Sequence, residues 1–152
     1  MPKLIGVELE GFDQIRTAVT TLGTPEDLRE WRAAGYRVAD MVAKGGRAEA
    51  RGDLQRKAAE TLKPLRSTQG AVIQYGRGFP AAMGAMFGAD RGQQRQGRPG
   101  GKPMPIEGWN QFEPWRRQEG YFLWPYMRTH GDEIHETFAD EIEPLLRRMF
   151  PE

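Results

Sequence analysis

The chain has no cysteine, one serine (Ser67) and two histidines (His130 and His135) among its 152 residues. Without cysteine there is no disulfide framework, no thiolate zinc site and no thiol nucleophile. A Ser-His-Asp arrangement would have to use Ser67, which stands in a turn-like Ser67-Thr68-Gln69-Gly70 stretch without the context of a nucleophile elbow. No apolar run approaches the ~20 residues that span a bilayer. The opening Met1-Pro2-Lys3-Leu4-Ile5-Gly6 lacks the apolar core of a secretory signal. The expectation is a soluble protein made in the cytoplasm, with no membrane partner. Large aliphatic and Phe side chains are scarce too: Leu, Ile, Val and Phe make up 28 of 152 residues, about 18%. That share borders on disorder, but a net charge of +1 does not fit a highly charged disordered chain. The composition therefore indicates one thin-cored domain over 1–152 that carries a long unstructured segment and leaves part of its burial to neighbours.

What is present is ordered by period and punctuation. Leu4 to Glu10 alternates at its end and reads as a short strand closed by Gly11. Phe12, Ile15, Val19 and Leu22 form a helical stripe that stops at Gly23. Thr24-Pro25-Glu26-Asp27 is a helix start, with a hydroxyl N-cap, proline in the first turn and acids at the positive dipole end. The helix it opens carries Leu28, Trp31, Val38, Met41 and Val42 and is expected to end at Gly45-Gly46. Arg47 to Leu62 reads as a further helical segment interrupted at Gly52 and closed by Pro64. Pro64–Arg66 and Ala71–Tyr75 flank the Ser67–Gly70 turn as a hairpin, while Ala81–Gly88 fits either a helix or a strand. A last helix is expected from about Pro125 to Met149, kinked or broken at Pro144, where proline removes a donor and crowds the Asp140 carbonyl. The predicted fold is α+β: a small antiparallel sheet (N-terminal strand plus hairpin) on two or three long helices, with a long extended loop.

That loop is residues 89–111. It holds eight Gly or Pro, one aliphatic residue of the core set (Ile106), and the cations Arg91, Arg95, Arg98 and Lys102. Such a segment has too little apolar area to offset its ordering entropy, so a long mobile arm is expected. Seven of the fifteen aromatics crowd into 109–126, including Trp109, Phe112, Trp115 and Trp124. The final stretch from Gly131 carries seven acids against Arg147 and Arg148. Arg91, Arg95, Arg98, Lys102, Trp109, Phe112, Trp115 and Trp124 are the candidate interface residues. The cations suit phosphates or an acidic protein face, and the aromatics suit a base-stacking platform or, more often, the core or an interface hot spot, the last being favoured.

Other motifs fail. His135-Glu136-Thr137-Phe138-Ala139 begins like a zincin helix but has alanine where the second histidine belongs, and His130 lies five residues away, off the same face. Both histidines read as surface residues. Gly100-Gly101-Lys102-Pro103 has proline where a phosphate-binding loop needs Ser or Thr, and Arg51-Gly52-Asp53 reads as a chance tripeptide. No catalytic residue, metal or cofactor is assigned.

The order of features resembles a known family. Phe12-Asp13-Gln14-Ile15 opens a helix after a short strand, and Arg51-Gly52-Asp53-Leu54 leads to the hairpin. Gly84-Ala85-Met86-Phe87-Gly88-Ala89 follows, and Gly120-Tyr121-Phe122-Leu123-Trp124-Pro125-Tyr126-Met127-Arg128 enters an acidic helix. This resembles the small neck, or tail-completion, proteins of long-tailed double-stranded-DNA bacteriophages, particularly those of actinobacterial phages, over nearly all the chain outside 90–108. Many relatives carry Glu-Phe-Gly where this chain has Met86-Phe87-Gly88. The resemblance implies a non-enzymatic virion subunit, located at the head–tail junction, that forms rings of copies of itself. It implies contacts with head-connector, tail-terminator or tail-tube subunits, with packaged DNA passing through the channel. A different reading of the same residues is a small nucleic-acid-binding protein using the Arg loop and the aromatics, although such domains are usually basic overall.

Overall fold

The computed structural model describes residues 11–88, 113–116 and 119–151, together with the backbone of 94–95 and 104–105. The expected strand at 4–10 lies outside the described residues, as do Arg91, Arg98, Lys102, Trp109 and Phe112. The described chain is mostly helical: α1 (Phe12–Leu22), α2 (Pro25–Glu49), α3 (Gly52–Ala59), α4 (Ala82–Phe87), α5 (Leu123–Thr129) and α6 (Gly131–Met149). Two short antiparallel ladders complete it, β1 (Lys63–Leu65) with β2 (Val72–Gln74), and β3 (Gln94–Arg95) with β4 (Met104–Pro105).

α2 is the axis of the molecule. Its start is the expected cap: Asp27 N–H donates to Thr24 Oγ1 at 3.2 Å, and Thr24 N–H donates to Asp27 Oδ2 at 2.9 Å. Buried Trp31, Ala34, Gly35, Val38, Ala39, Val42, Ala43 and Gly46 follow at helical spacing. α6 lies antiparallel to it, since Arg148 reaches Asp27 and Glu30 while Glu141 meets Arg37 further along. α1 closes the same end. Phe12, Trp31 and Phe138, from three helices, meet with ring centroids 5.5–5.7 Å apart. The β1–β2 hairpin packs on α2 in the register Lys63↔Gln74, Pro64↔Ile73 and Leu65↔Val72. Its turn is held by Gln69 N–H donating to Ser67 Oγ (3.0 Å) and by the Trp31 indole donating to Thr68 O (2.8 Å).

Four expectations change. α2 does not stop at Gly45-Gly46 but continues to Glu49. The glycines are places of close approach: the Tyr126 ring lies where a Gly45 Cβ would stand, and Leu123 abuts Gly46. The C-terminal helix is two helices, separated at His130 (φ −108, ψ 20), and α6 runs through Pro144 without ending. Pro144 and Asp140 are exposed, so water can satisfy the carbonyl that proline leaves without a donor. The histidines are not plain surface residues. His130 stacks on Tyr126 at 4.2 Å, and His135 is half-buried with an enclosed Nε2 that has no partner among the described residues. Finally, the segment expected to be unstructured contains a ladder, Gln94↔Pro105 and Arg95↔Met104. Ala82–Phe87, which periodicity left open, is a helix.

The scarcity of aliphatics has a structural counterpart. Among the described residues, eight of the twenty buried apolar ones are alanine, including Ala34, Ala39, Ala43, Ala58 and Ala59. Small residues on α2 and α3 let helices and hairpin approach closely, so burial comes from proximity more than from bulk.

Candidate interaction site

The described residues on either side of 89–112 meet at one clamped point. Gly88 has φ 77, and any Cβ there would collide with the carbonyls of Glu113 and Pro114. Only glycine suits both the left-handed backbone and that approach. Arg116 N–H donates to Phe87 O (2.8 Å), and Tyr121 N–H donates to Met86 O (2.7 Å), so α4 receives the returning chain through its last carbonyls. Tyr121 Oη donates to Pro114 O (2.6 Å), and Arg128 Nη1 donates to Glu119 O (2.6 Å). With β3 paired to β4, Arg98 and Lys102 fall between two paired strands in the sequence.

The two candidate tryptophans with described side chains sit at this root in different ways. Trp124 is half-buried, packs on Phe87 at 6.1 Å and keeps an enclosed Nε1 that lacks a partner among the described residues. Trp115 is 51% exposed. Of Arg95 only the backbone is described, in the ladder opposite Met104.

Beside the root is a cleft of about 330 Å³, bounded by Arg51 and Gln55 from the α2–α3 corner and by Arg116, Tyr121 and Phe122 from the returning chain. Arg116 lies over the Tyr121 ring, 4.4 Å from its centroid. Gln55 is buried, and its Oε1 accepts the Arg51 N–H at 2.9 Å. Phe122 is the one non-glycine among the described residues with positive φ (34°), and it is only 2% exposed. Its strained backbone is held by the Tyr126 N–H donating to Phe122 O (3.2 Å) and by ring packing on Tyr75 at 6.0 Å. Glu49 and Glu113 also line the cleft. Tyr126, close by, is pushed up from its ordinary value by burial first and then by Glu133 and Glu49.

This cleft escapes the sequence reading, which sets Arg51-Gly52-Asp53 aside. The available signal is Gly52, which interrupts a helical pattern and adopts φ 75. It turns the chain so that Arg51 and Gln55 face the returning segment.

On another side, α6 presents Asp132, Glu133, Glu136 and Asp140, all exposed and none in an ion pair among the described residues. Glu136 lies three or four positions from each of the other three, so they form one anionic stripe. Among the described residues no group of three or more His, Cys, Asp or Glu side chains is placed to hold a metal ion, and no helix is long and apolar enough to cross a membrane. No family model, curated protein or solved structure matches the chain.

Proposed function

We propose that this chain is a structural subunit of the head–tail junction of a long-tailed double-stranded-DNA bacteriophage. In this reading its copies form a ring that joins or completes the tail around the DNA channel. The observation that carries this reading is the clamped root at Gly88 and Glu113–Tyr121, between which the sequence carries its cation-bearing segment, on a body whose α6 face is anionic. A chain with surfaces of opposite sign associates head to tail, and such contacts close into rings when the rotation allows. The alanine-rich core agrees with this, because part of the burial would then come from neighbours. Arg91, Arg95, Arg98 and Lys102 are the residues that would meet the adjacent subunit. Trp109, Phe112, Trp115 and Trp124 would anchor the segment at its base.

The test is solution mass with and without connector and tail subunits, together with deletion of 91–104. The deletion variant should fold and fail to join heads to tails. A strictly single chain that ignores those subunits yet binds DNA with a steep salt dependence would make it a nucleic-acid-binding module instead.

A further inference from the structure

The cleft at the α2–α3 corner collects hydrogen-bond donors that nothing in the described chain uses. Gln55 is 5% exposed, and its Oε1 is committed to the Arg51 N–H. Its Nε2 amide makes no hydrogen bond among the described residues, and it is not among the fully enclosed orphan atoms. The amide therefore opens onto the cleft that Gln55 lines. A buried amide left with an open donor invites an acceptor. Arg51 and Arg116 border the same cleft, and neither forms an ion pair among the described residues. The stacking of Arg116 on Tyr121 restricts that guanidinium before any partner arrives, which lowers the ordering cost of binding. α3 starts beside it with no side-chain cap on its first turn.

Every one of these groups donates, and the guanidiniums present planar forks, so the matching ligand is a planar oxyanion. Glu49 and Glu113 line the cleft as well, and their charge repels a phosphate polymer, which carries many charges, more than it repels a single side-chain carboxylate.

We propose that this cleft receives a carboxylate from the acidic face of α6 in a second copy of the chain, with Glu136 and Asp140 as the donors of that charge. The two lie one turn apart, both are exposed, and neither is paired within the chain. The inference rests on the ring-forming reading and gives it a specific contact: each copy offers one cleft and one acidic face, so the contact is heterologous.

The experiment uses the full chain and measures mass in solution by sedimentation velocity over a concentration series. The cleft variant carries Arg51→Ala and Arg116→Ala; the face variant carries Glu136→Gln and Asp140→Asn. All four positions are exposed, and thermal melts should match the wild type. Each variant alone should associate about tenfold more weakly or worse. An equimolar mixture of the two should give a complex of two copies and nothing larger, because only one of the two contacts in each pair is intact. If both variants associate as the wild type does, the cleft contact is refuted while the ring reading stands. A wild-type chain that stays single at every concentration overturns both. Loss of DNA binding in the cleft variant, with association unchanged, makes the cleft a phosphate site and overturns the proposal.

Discussion

Arg148, in the last turn of α6, closes on Asp27, the residue that completes the capping box of α2 from 121 positions away. Its Nε donates to Asp27 Oδ1 at 3.1 Å and its Nη2 donates to the same oxygen, while Nη1 reaches Glu30 at 2.7 Å. One carboxylate thus serves as helix cap and as inter-helix tie. The Arg148 hydrogen bond, followed by the Thr24 N–H, holds the Asp27 carboxyl below its ordinary value. A carboxyl depressed in the folded state stabilises the fold above its unfolded pKa, and that contribution fades as pH falls through the folded one. Wild-type stability, followed by denaturant melts, should drop below about pH 4. Asp27→Asn should lower stability at neutral pH and flatten that acid limb. An acid limb of unchanged slope would show that Asp27 is not the titrating tie.

Two glycines in helices should respond in opposite senses to alanine. Gly35 faces the hairpin turn, and an added Cβ would overlap the carbonyl of Gly70, a backbone group with no freedom to retreat. Gly35→Ala should cost about 1–3 kcal/mol. Gly131, at the start of α6, has nothing within 4 Å of its Cβ position. Gly131→Ala should stabilise by up to about 1 kcal/mol through backbone entropy. Urea midpoints of the two variants should move to opposite sides of the wild type.

Pro144 is exposed inside a helix that does not end there. Helix interiors penalise proline by about 3 kcal/mol relative to alanine, and nothing packed around this position requires it. Pro144→Ala should raise the melting temperature, by an amount corresponding to roughly 1–3 kcal/mol. A lowered value would mean that the missing donor at 144 matters to a contact that α6 makes outside the chain.

Local signals in the sequence located the starts of α1 and α2 and the hairpin. Thr24-Pro25-Glu26-Asp27 fixes the start of α2, and the Phe12, Ile15 and Val19 stripe marks α1, because capping and periodicity act within a few residues. The errors arise where tertiary packing overrides local preference. Gly45 and Gly46 look like a stop signal, yet they lie within the helix because Tyr126 and Leu123 dock on them from 77 or more positions away. The same holds for the cleft. Gln55 appears as one polar residue on a short helix, and only the returning chain at Arg116–Phe122 gives it a neighbourhood. Of the candidate interface residues, Trp124 was legible from the dense aromatic run, but its inward packing on Phe87 was not.

Trp31 and Trp124 provide the sharpest contrast for mutation. The Trp31 ring is fully buried against Phe12 and Phe138, and its indole donates to Thr68 O across to the hairpin turn. Trp31→Phe removes volume and leaves that carbonyl without its donor, at a cost of about 2–4 kcal/mol. Trp124 buries an indole N–H that has no partner among the described residues, so Trp124→Phe removes that donor along with some packed area. The two effects oppose each other, and the net change should stay within about 1 kcal/mol. Trp115, 51% exposed, bears on assembly: Trp115→Ala should weaken joining to neighbouring subunits. If Trp31→Phe proves as mild as Trp124→Phe, the indole bond to Thr68 is not what holds the hairpin to α2.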